Sequence, residues 1–226
     1  MSIQYYHDLE QGSEEWKAAR CGLLTASEMS LILTPKQLKS AYNDKSRSHL
    51  YELLAQRITR YVEPHYISDD MLRGHEDELD AKILYNEKIS PLQNCGFITN
   101  DKWGFKIGFS PDALVGDDGI IECKSRRQKF QIQTIIENAM PEDFLLQVQT
   151  GLLVSERKWC DFISYSGGLP MVTIRVFPDE KIHNAIVDAA TEFEGQLVEK
   201  TQKYKEQTAG NIRLLPTVRR VEQQMI

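Results

Sequence analysis

Residues 109–127 constrain the fold more than any other stretch, because they predict two short strands that double back on each other. Residues 112–115, Asp-Ala-Leu-Val, begin one strand, and residues 120–124, Ile-Ile-Glu-Cys-Lys, form the returning strand. Between them, residues 116–119 read Gly-Asp-Asp-Gly, which is the composition of a hairpin turn. Helical patterns lie on both sides of this ribbon, so we expect an α/β protein in which helices cover a mostly central sheet.

The predicted ribbon gathers charged side chains at one place. Side chains alternate between the two faces of a strand, so Glu122 and Lys124 share a face that Cys123 does not. A hairpin of this length can place Asp112 beside Glu122. Two carboxylates and the main-chain carbonyl of Cys123 suit a hard divalent cation, and an adjacent ammonium can orient water. The ribbon is therefore a candidate metal centre, although an acid–x–lysine triplet alone more often marks a solvated strand edge.

The composition is that of an ordinary globular protein without unusual redox chemistry. The chain has 226 residues, of which 41% are hydrophobic and 27% charged, enough for one sizeable core. No apolar run is long enough to span a membrane and no signal-peptide pattern is present, so we expect a cytoplasmic protein with no membrane partner. The cysteines are scattered and predict reduced thiols, not a zinc site or a disulfide framework; they are Cys21, Cys95, Cys123 and Cys160.

The distribution of charge matters more than its sum. A net charge of −6 argues mildly against nucleic-acid binding, because proteins that bind phosphate usually carry a basic excess. Acidic residues, however, are concentrated between residues 69 and 80 and in the predicted C-terminal helix. A basic cluster begins at the candidate metal centre and consists of Lys124, Arg126, Arg127 and Lys129. A local contact with nucleic acid is therefore compatible with the composition.

Periodicity and capping residues predict a single domain over residues 1–226. Its parts are a helical region (1–90), a mixed-sheet catalytic core (91–178) and a C-terminal helix with a tail (179–226). The predicted helices after the first two cover residues 50–61, 70–88, 130–138, 141–154 and 179–208, and the further strands cover residues 96–100, 103–109, 158–165 and 171–177. The tail, residues 211–226, is expected to need a neighbour for its order.

Two helix starts are predicted near the N-terminus. Ser13 is a cap for a helix that ends near Gly22. The pattern Thr25-x-x-Glu28 is typical of a capping box that opens a second helix through Leu33. A polar, basic linker is predicted over residues 36–47.

Several polar residues allow two interpretations. Arg20 and Ser27 can bind a phosphate, or they can be an ion-paired surface residue and a polar first-turn residue. Glu78 can serve a site or pair with Lys82 four residues later, while Gly74, one turn earlier, indicates close approach of a backbone or a ligand.

Gln147 and Gln149 interrupt an apolar stretch of the helix predicted over residues 141–154. A buried glutamine needs hydrogen-bond partners, which favours a polar site, but both can equally lie on a solvated helix face.

Five separated segments resemble the phage-lambda-type exonucleases, viral recombination nucleases of the PD-(D/E)XK superfamily. In chain order they are Trp16-x-x-x-Arg20-x-Gly22-x-x-Thr25-Ala26-Ser27-Glu28, Gly74-x-x-x-Glu78, Ser110-Pro111-Asp112, Glu122-Cys123-Lys124 and Gln147-Val148-Gln149. The resemblance covers about residues 11–165, and its specificity lies in the order and spacing of motifs that are individually short. It implies a restriction-endonuclease-like fold, with a mixed β-sheet core flanked by helices.

The resemblance implies a role for each residue of the candidate metal centre. Asp112, Glu122 and the carbonyl of Cys123 would hold Mg²⁺, for which Mn²⁺ can substitute. Lys124 would position the attacking water or help to deprotonate it.

The same resemblance assigns two further groups of residues. Glu78 would orient metal-bound water or serve a second metal, and Gln147 would complete that network. Arg20, Ser27 and Ser110 would bind the 5′-terminal phosphate of the strand being digested.

The implied activity is 5′→3′ digestion of one strand at the ends of double-stranded DNA. Members of this family form toroidal homotrimers and leave a 3′ single strand for a single-strand annealing partner. The gene would belong to a phage or prophage, and the protein to the bacterial cytoplasm. Residues 47–67, Arg126, Arg127 and the chain beyond Phe177 match no pattern of the family.

Three alternatives remain at this stage. A site-specific endonuclease of the same fold would need base-reading side chains and would cut closed circles. Nucleases with iron–sulfur clusters are disfavoured by the scattered cysteines. A non-catalytic DNA-binding or assembly protein is disfavoured because Asp112, Glu122 and Lys124 are all present.

Overall fold

The computed structural model describes residues 2–64, 69–210 and 213–219. The strands in these ranges are β1 (Ile3–Tyr6), β2 (Leu24–Thr25), β3 (Leu33–Thr34), β4 (Lys39–Ser40), β5 (Phe97–Asn100), β6 (Ile107–Phe109), β7 (Ala113–Val115), β8 (Gly119–Ser125), β9 (Trp159–Tyr165) and β10 (Val172–Val176). The helices are α1 (Glu14–Arg20), α2 (Met29–Ile32), α3 (Asp44–Thr59), α4 (Asp69–Lys88), α5 (Gln128–Glu137), α6 (Leu145–Ser155) and α7 (Glu180–Thr208).

The mixed α/β class is confirmed, but the described strands form two four-stranded sheets and not one central sheet. The first has the order β1-β5-β6-β2 and the second β10-β9-β8-β7, while β3 and β4 form a separate hairpin. Each four-stranded sheet contains one parallel pair, β2 with β6 and β8 with β9, and its other pairs are antiparallel. The division into three parts within a single domain stays a prediction.

Helix α6 lies in the main core and contacts both sheets, since it packs against β5 and β6 of the first and β9 of the second. Leu146, Leu152 and Val154 on this helix are at most 1% exposed. A helix that is apolar on most of its surface is stable only when it is enclosed, which explains its central place. This position carries Gln147, on the same helix, towards the second sheet.

Near the N-terminus the first predicted helix is present, but the second differs from its prediction. Ser13 does cap α1, by accepting a hydrogen bond from the Trp16 amide. Thr25 makes no capping bond; its hydroxyl instead donates to a Glu28 carboxylate oxygen at 2.7 Å. The segment that follows is a three-residue 3-10 turn, Ala26–Glu28, and then the four-residue α2, and Leu33 already belongs to β3.

The predicted linker over residues 36–47 is also largely wrong. Its middle forms β4, which pairs with β3. Its end is already helical, because the Asn43 side chain accepts from the Ser46 amide and caps α3. The predicted linker is therefore a hairpin followed by a helix start. Residues 65–67 of the region that matched no family pattern, and residue 68 after it, lie outside the described residues.

Helices α4 and α5 turn apolar side chains outward. Leu72, Leu79 and Ile83 of α4 are 50–60% exposed. On α5 the spacing of three isoleucines predicts a helix correctly, but Ile136 is 77% exposed while Gln131 is buried. The Gln131 amide donates to the carbonyls of Ser164 and Pro170, which fixes the polar side of α5 against β9.

Residues 213–219 have no regular secondary structure, and Arg219 lies 3.7 Å above the Tyr61 ring. The rest of the predicted tail, residues 211–212 and 220–226, lies outside the described residues. Among the helices in the described ranges, none combines the length and apolar character that a membrane span needs.

Candidate functional site

The predicted ribbon exists as the antiparallel pair β7–β8, with Ala113 opposite Ile121 and Val115 opposite Gly119. Gly116 has φ +51° in the turn, a backbone conformation that glycine adopts without strain. No larger residue fits at Gly119 without movement of its neighbour, because an added Cβ would lie 2.2 Å from the Trp159 ring. These two glycines allow a tight turn and close packing of β8 against β9.

Asp112 is placed immediately before β7, where its carboxylate reaches across to β8. Its Oδ2 atom accepts a hydrogen bond of 2.5 Å from the main-chain N–H of Cys123. The Cys123 side chain is buried in the apolar cluster on the other face of the strand. Cys123 can therefore offer a ligand to the Asp112 face only through its main chain.

Glu122 is 2% exposed, and its two oxygens have different surroundings. Oε1 accepts hydrogen bonds from the Lys124 ammonium at 2.7 Å and from the Gln147 amide at 2.5 Å. Oε2 is buried, and no group in the described part of the chain donates to it. A buried carboxylate oxygen without a partner is costly, and a cation would compensate it.

The pKa shifts show that the positive charge near Asp112 and Glu122 is too small to offset the burial of the two carboxylates. Burial raises the pKa of Asp112 well above its usual range, and the charges of Glu122 and Glu78 raise it further. Burial also raises the pKa of Glu122, although Lys124 opposes the shift. Burial alone would lower the pKa of Lys124, but Glu122 and Asp112 outweigh it and raise that pKa. Lys124 is therefore a firmly protonated cation beside carboxylates that attract protons or metal ions.

Glu78 lies on α4 and lines, with Asp112, a cleft of about 640 Å³. Its carboxylate is 3.5 Å from the Lys82 ammonium, so the ion pair predicted as the alternative exists together with the site position. An added Cβ on Gly74 would meet no protein atom within 4 Å. Close approach of another backbone at Gly74 is therefore wrong for this chain.

The donor set fits a hard divalent cation. Asp112 and the unpaired Oε2 of Glu122 are carboxylate oxygens, and a carbonyl and water molecules commonly complete such sites. Within the described ranges no three His, Cys, Asp or Glu side chains are grouped as a metal site. The candidate centre has only two such ligands, Asp112 and Glu122, which is consistent with that absence.

The residues predicted to bind phosphate are brought together around Arg20. Its guanidinium donates to the Ser110 hydroxyl at 3.2 Å and to the Thr25 hydroxyl at 3.1 Å, and lies 4.4 Å above the Trp16 ring. Burial lowers the pKa of Arg20, which Glu28 opposes through space. Arg20 therefore contacts neutral hydroxyls and not a surface acid, and its charge stays available to an anion.

Ser27 joins this cluster through a 3.2 Å contact between its hydroxyl and that of Thr25. It is exposed, as a ligand contact requires. A helix dipole does not contribute at Ser27, because the 3-10 turn and α2 are too short to supply one.

The two glutamines of α6 have different functions. Gln147 faces the candidate metal centre, where it binds Glu122. Gln149 is buried and structural; its amide donates to the Phe177 carbonyl and its oxygen accepts from the Asp179 amide at the start of α7. Gln147 therefore lies beside a polar site, whereas Gln149 fits neither alternative, because it is buried and bonded to backbone groups.

Several residues that hold these groups had no predicted role. Trp16 donates from its indole to the Ser110 hydroxyl at 3.0 Å, and Thr25 binds Arg20. Both occur in the motifs quoted above, but only as pattern positions. Phe144, whose ring lies 5.4 Å from the Lys124 ammonium, is outside every motif, and no local signal indicates it.

Two carboxylates and a lysine at the end of a strand ribbon, within a mixed α/β domain, define the restriction-endonuclease-like class. Residues 15–158 match the model of the YqaJ-like viral recombinase domain. The chain belongs to this family. The resemblance to lambda-type exonucleases is thereby confirmed.

Two solved structures of one protein are similar to most of the chain. The alkaline exonuclease LHK-Exo from Laribacter hongkongensis is 29% identical, with a TM-score of 0.71, over 86% of this chain and 99% of that chain. Its complex with dAMP, also 29% identical, has a TM-score of 0.73 and covers 87% and 98%.

A phage-related exonuclease from Haemophilus somnus 129PT is 14% identical, with a TM-score of 0.57, over 79% of this chain and 96% of that chain. This third similarity concerns the fold alone. No curated protein sequence gave a significant match.

Proposed function

We propose that the chain is a Mg²⁺-dependent exonuclease that digests one strand of linear double-stranded DNA in the 5′→3′ direction. The product would be a 3′ single-stranded overhang for recombination by strand annealing. A nuclease role is supported by the family and by the similarity to LHK-Exo, an alkaline exonuclease. The observation that carries the metal dependence is the buried, unpaired Oε2 of Glu122 beside Asp112 and Lys124.

Asp112, Glu122 and the Cys123 carbonyl would hold the ion. Once bound, a divalent cation, Mg²⁺ or Mn²⁺, polarises the scissile phosphate and lowers the pKa of attacking water. The hydrogen bonds from Gln147 and Lys124 occupy Oε1 of Glu122 and leave Oε2 for the ion.

Two side chains act on the water and the phosphate. The Lys124 ammonium, fixed 2.7 Å from Glu122, would position the water and stabilise the negative charge that develops at the phosphorus. Glu78, on the wall of the cleft that contains Asp112, would accept a hydrogen bond from the attacking water.

The cluster around Arg20 supports the proposed direction of digestion. Arg20, Ser27 and Ser110 would bind the 5′-terminal phosphate, since a guanidinium and hydroxyls are suitable donors for it. Ser110 precedes Asp112 by two residues, so a 5′ end held there would lie near the candidate metal centre. An enzyme built in this way needs a strand end, and this makes it an exonuclease.

The deciding experiment compares a linear duplex, labelled on one strand, with covalently closed circles, each with Mg²⁺ or EDTA. We expect digestion of the linear duplex from its 5′ end, only with Mg²⁺, and intact circles. The matched control is Glu122→Gln, which keeps the shape of the side chain but removes the charge and should be inactive. Cleavage of circles would favour the endonuclease alternative, and activity in EDTA would exclude the metal mechanism.

The assembly and the setting are also proposed from the family resemblance. By this resemblance the chain would form a homotrimeric ring around duplex DNA and would have a single-strand annealing protein as its partner. It would be expressed from a phage or prophage gene in the bacterial cytoplasm. Light scattering after gel filtration should give three times the mass of one chain. A monomer at every concentration would contradict the ring without affecting the proposed hydrolysis.

A further inference from the structure

Cations and aromatic rings alternate along a row that starts at Lys124. Its ammonium lies 5.4 Å from the centre of the Phe144 ring, and the Arg126 guanidinium lies 5.1 Å from the same ring. Arg126 is also 5.0 Å from the Phe130 ring, which the Lys129 ammonium approaches to 4.7 Å. Three cations are thus separated by two rings, in a row that leads away from the candidate metal centre.

The backbone explains why the first two cations share a face. The Arg126 N–H donates to the Tyr165 carbonyl at 2.7 Å, which continues the parallel β8–β9 ladder one residue beyond β8. Residues two apart in an extended strand point to one side and are about 6.6 Å apart. Arg126 therefore follows Glu122 and Lys124 on the same face.

Lys124 is paired with Glu122, but the rings hold Arg126 and Lys129 in place without neutralising them. Contact with an aromatic face attracts a cation but supplies no negative charge, unlike a carboxylate partner. Nε of Arg126 is buried without a hydrogen-bond partner in the described part of the chain, and Asp143 acts on this guanidinium only through space. Phe144 is itself fixed by stacking on the buried Phe162 at 5.3 Å. The row thus keeps positive charge at fixed positions.

We propose that Arg126 and Lys129 bind successive phosphates of the strand being digested, on the 3′ side of the scissile phosphate at Lys124. This inference rests on the proposed nuclease function. Fixed, sequence-blind cations of this kind bind a polyanion through its phosphates and not through its bases.

The position of Arg20 indicates on which side of the scissile phosphate Arg126 and Lys129 would bind the strand. Arg20 contacts Trp16, Phe97, Ser110 and Thr25, whereas the rings at Arg126 and Lys129 are Phe130 and Phe144. If the cluster around Arg20 binds the 5′ end, the row beyond Lys124 is left for the duplex side of the cut. The two groups would then hold the strand on both sides of the bond to be hydrolysed.

The test measures DNA binding in EDTA, over a range of salt concentrations, and digestion with Mg²⁺. Arg126→Gln and Lys129→Gln should each weaken binding about tenfold and reduce the slope of log K against log salt by about 0.9. KM should rise while kcat changes little, because neither residue contacts the reacting atoms. Lys129 is exposed, so its variant cannot fail merely through misfolding. The control, Lys88→Gln at the far end of α4, should equal the wild type.

A neutral methylphosphonate, placed at one linkage at a time, identifies the phosphate. The wild type should lose affinity when the linkage next to the scissile one, on its 3′ side, is neutral, and Arg126→Gln should lose nothing further there. The proposal would be overturned if Arg126→Gln lost further affinity equally at every neutral linkage. It would also be overturned if both variants showed wild-type binding and a wild-type salt slope. If the wild type digests DNA but the variants do not behave as expected, the proposed nuclease function is retained and the role of Arg126 and Lys129 is rejected.

Discussion

Arg20 is the residue whose surroundings are most specific for an anion. It is held by two hydroxyls and lies over the Trp16 ring, and within the described part of the chain no carboxylate is hydrogen-bonded to it. A half-buried guanidinium arranged in this way gains most from a doubly charged phosphate. The value of this contact depends on the chemistry of the DNA end and not on its sequence.

Arg20→Ala should therefore reduce digestion of 5′-phosphorylated ends at least tenfold, which corresponds to loss of one charge-assisted contact. Ends with a 5′-hydroxyl should lose much less, because they lack the group that Arg20 would bind. Single-turnover rates on the two substrates provide the measurement. Equal losses on both ends would remove the assigned role.

Asp112 and Glu122 predict a pH dependence of metal binding. Both pKa values are raised in the folded protein, so the folded chain binds more protons than the unfolded chain between the ordinary and the raised values. The contribution of these groups to stability therefore falls as the pH rises through that window. A metal ion must displace the same protons, so affinity for Mg²⁺ should increase from mildly acidic to mildly alkaline pH.

Titration calorimetry in buffers of different ionisation enthalpy checks this expectation, because it counts the protons released on binding. Proton release should be largest at mildly acidic pH and should be smaller in Asp112→Asn, in which only Glu122 keeps a raised pKa. Affinity that does not change with pH would contradict the raised pKa values.

At the scale of elements, α4 is fixed to the second sheet by a polar network. The hydroxyl of Tyr85 on α4 donates to the Asp161 carboxylate at 2.6 Å, and Arg175 on β10 donates to the same carboxylate twice at 2.8 Å. Tyr85 follows Glu78 by seven residues, so both lie on one face of the helix. The network therefore sets the position of Glu78.

Tyr85→Phe should lower the free energy of unfolding by about 2 kcal/mol, since a hydrogen bond to a charged group is lost in the interior. It should also lower kcat with little change in KM, because Glu78 would be less well positioned. Denaturant unfolding and steady-state kinetics measure the two effects. Tyr51→Phe, at an exposed tyrosine, is the control, and a matching loss there would show that the network is not responsible.

The elements differ in how well local sequence reveals them. The β7–β8 ribbon was predictable, because its contacts are close in sequence and its turn residues are specific. The ion pair of Arg57 with Glu194, at 2.6 Å, joins residues 137 apart, and no local pattern indicates it. Spacing predicted a helix over residues 50–61, but α3 spans Asp44–Thr59, and Ile58 near its end is 36% exposed.

Helix α5 shows why burial is the harder prediction. Its isoleucine spacing gives a helix, but which side faces the protein depends on the Ser164 and Pro170 carbonyls that accept from Gln131. Those partners come from residues more than thirty positions away. Periodicity alone favours the apolar side, and here the hydrogen-bonding side is the one that is buried.

At the scale of the whole molecule, α6 makes the two sheets depend on one core. Leu152→Ala at its centre should lower the free energy of unfolding by about 3 kcal/mol, through lost burial and the cavity left behind. Far-ultraviolet circular dichroism and tryptophan fluorescence should report one common transition. Val198→Ala, at a residue that is 67% exposed, should change stability by less than about 0.5 kcal/mol. Two separate transitions would contradict a single domain.

The buried Oε2 atom of Glu122, which has no hydrogen-bond partner in the described part of the chain, has a consequence for thermal stability. Without an ion, the folded chain encloses a negative atom that the unfolded chain would leave in water, so the ion acts as a partner in folding. Melting curves of the DNA-free protein in magnesium, calcium or chelator would then rank ions by how well they fit, before any substrate is cut. Glu122→Gln, in which only the Asp112 carboxylate is left to neutralise, should show a much smaller difference in melting temperature between the three solutions.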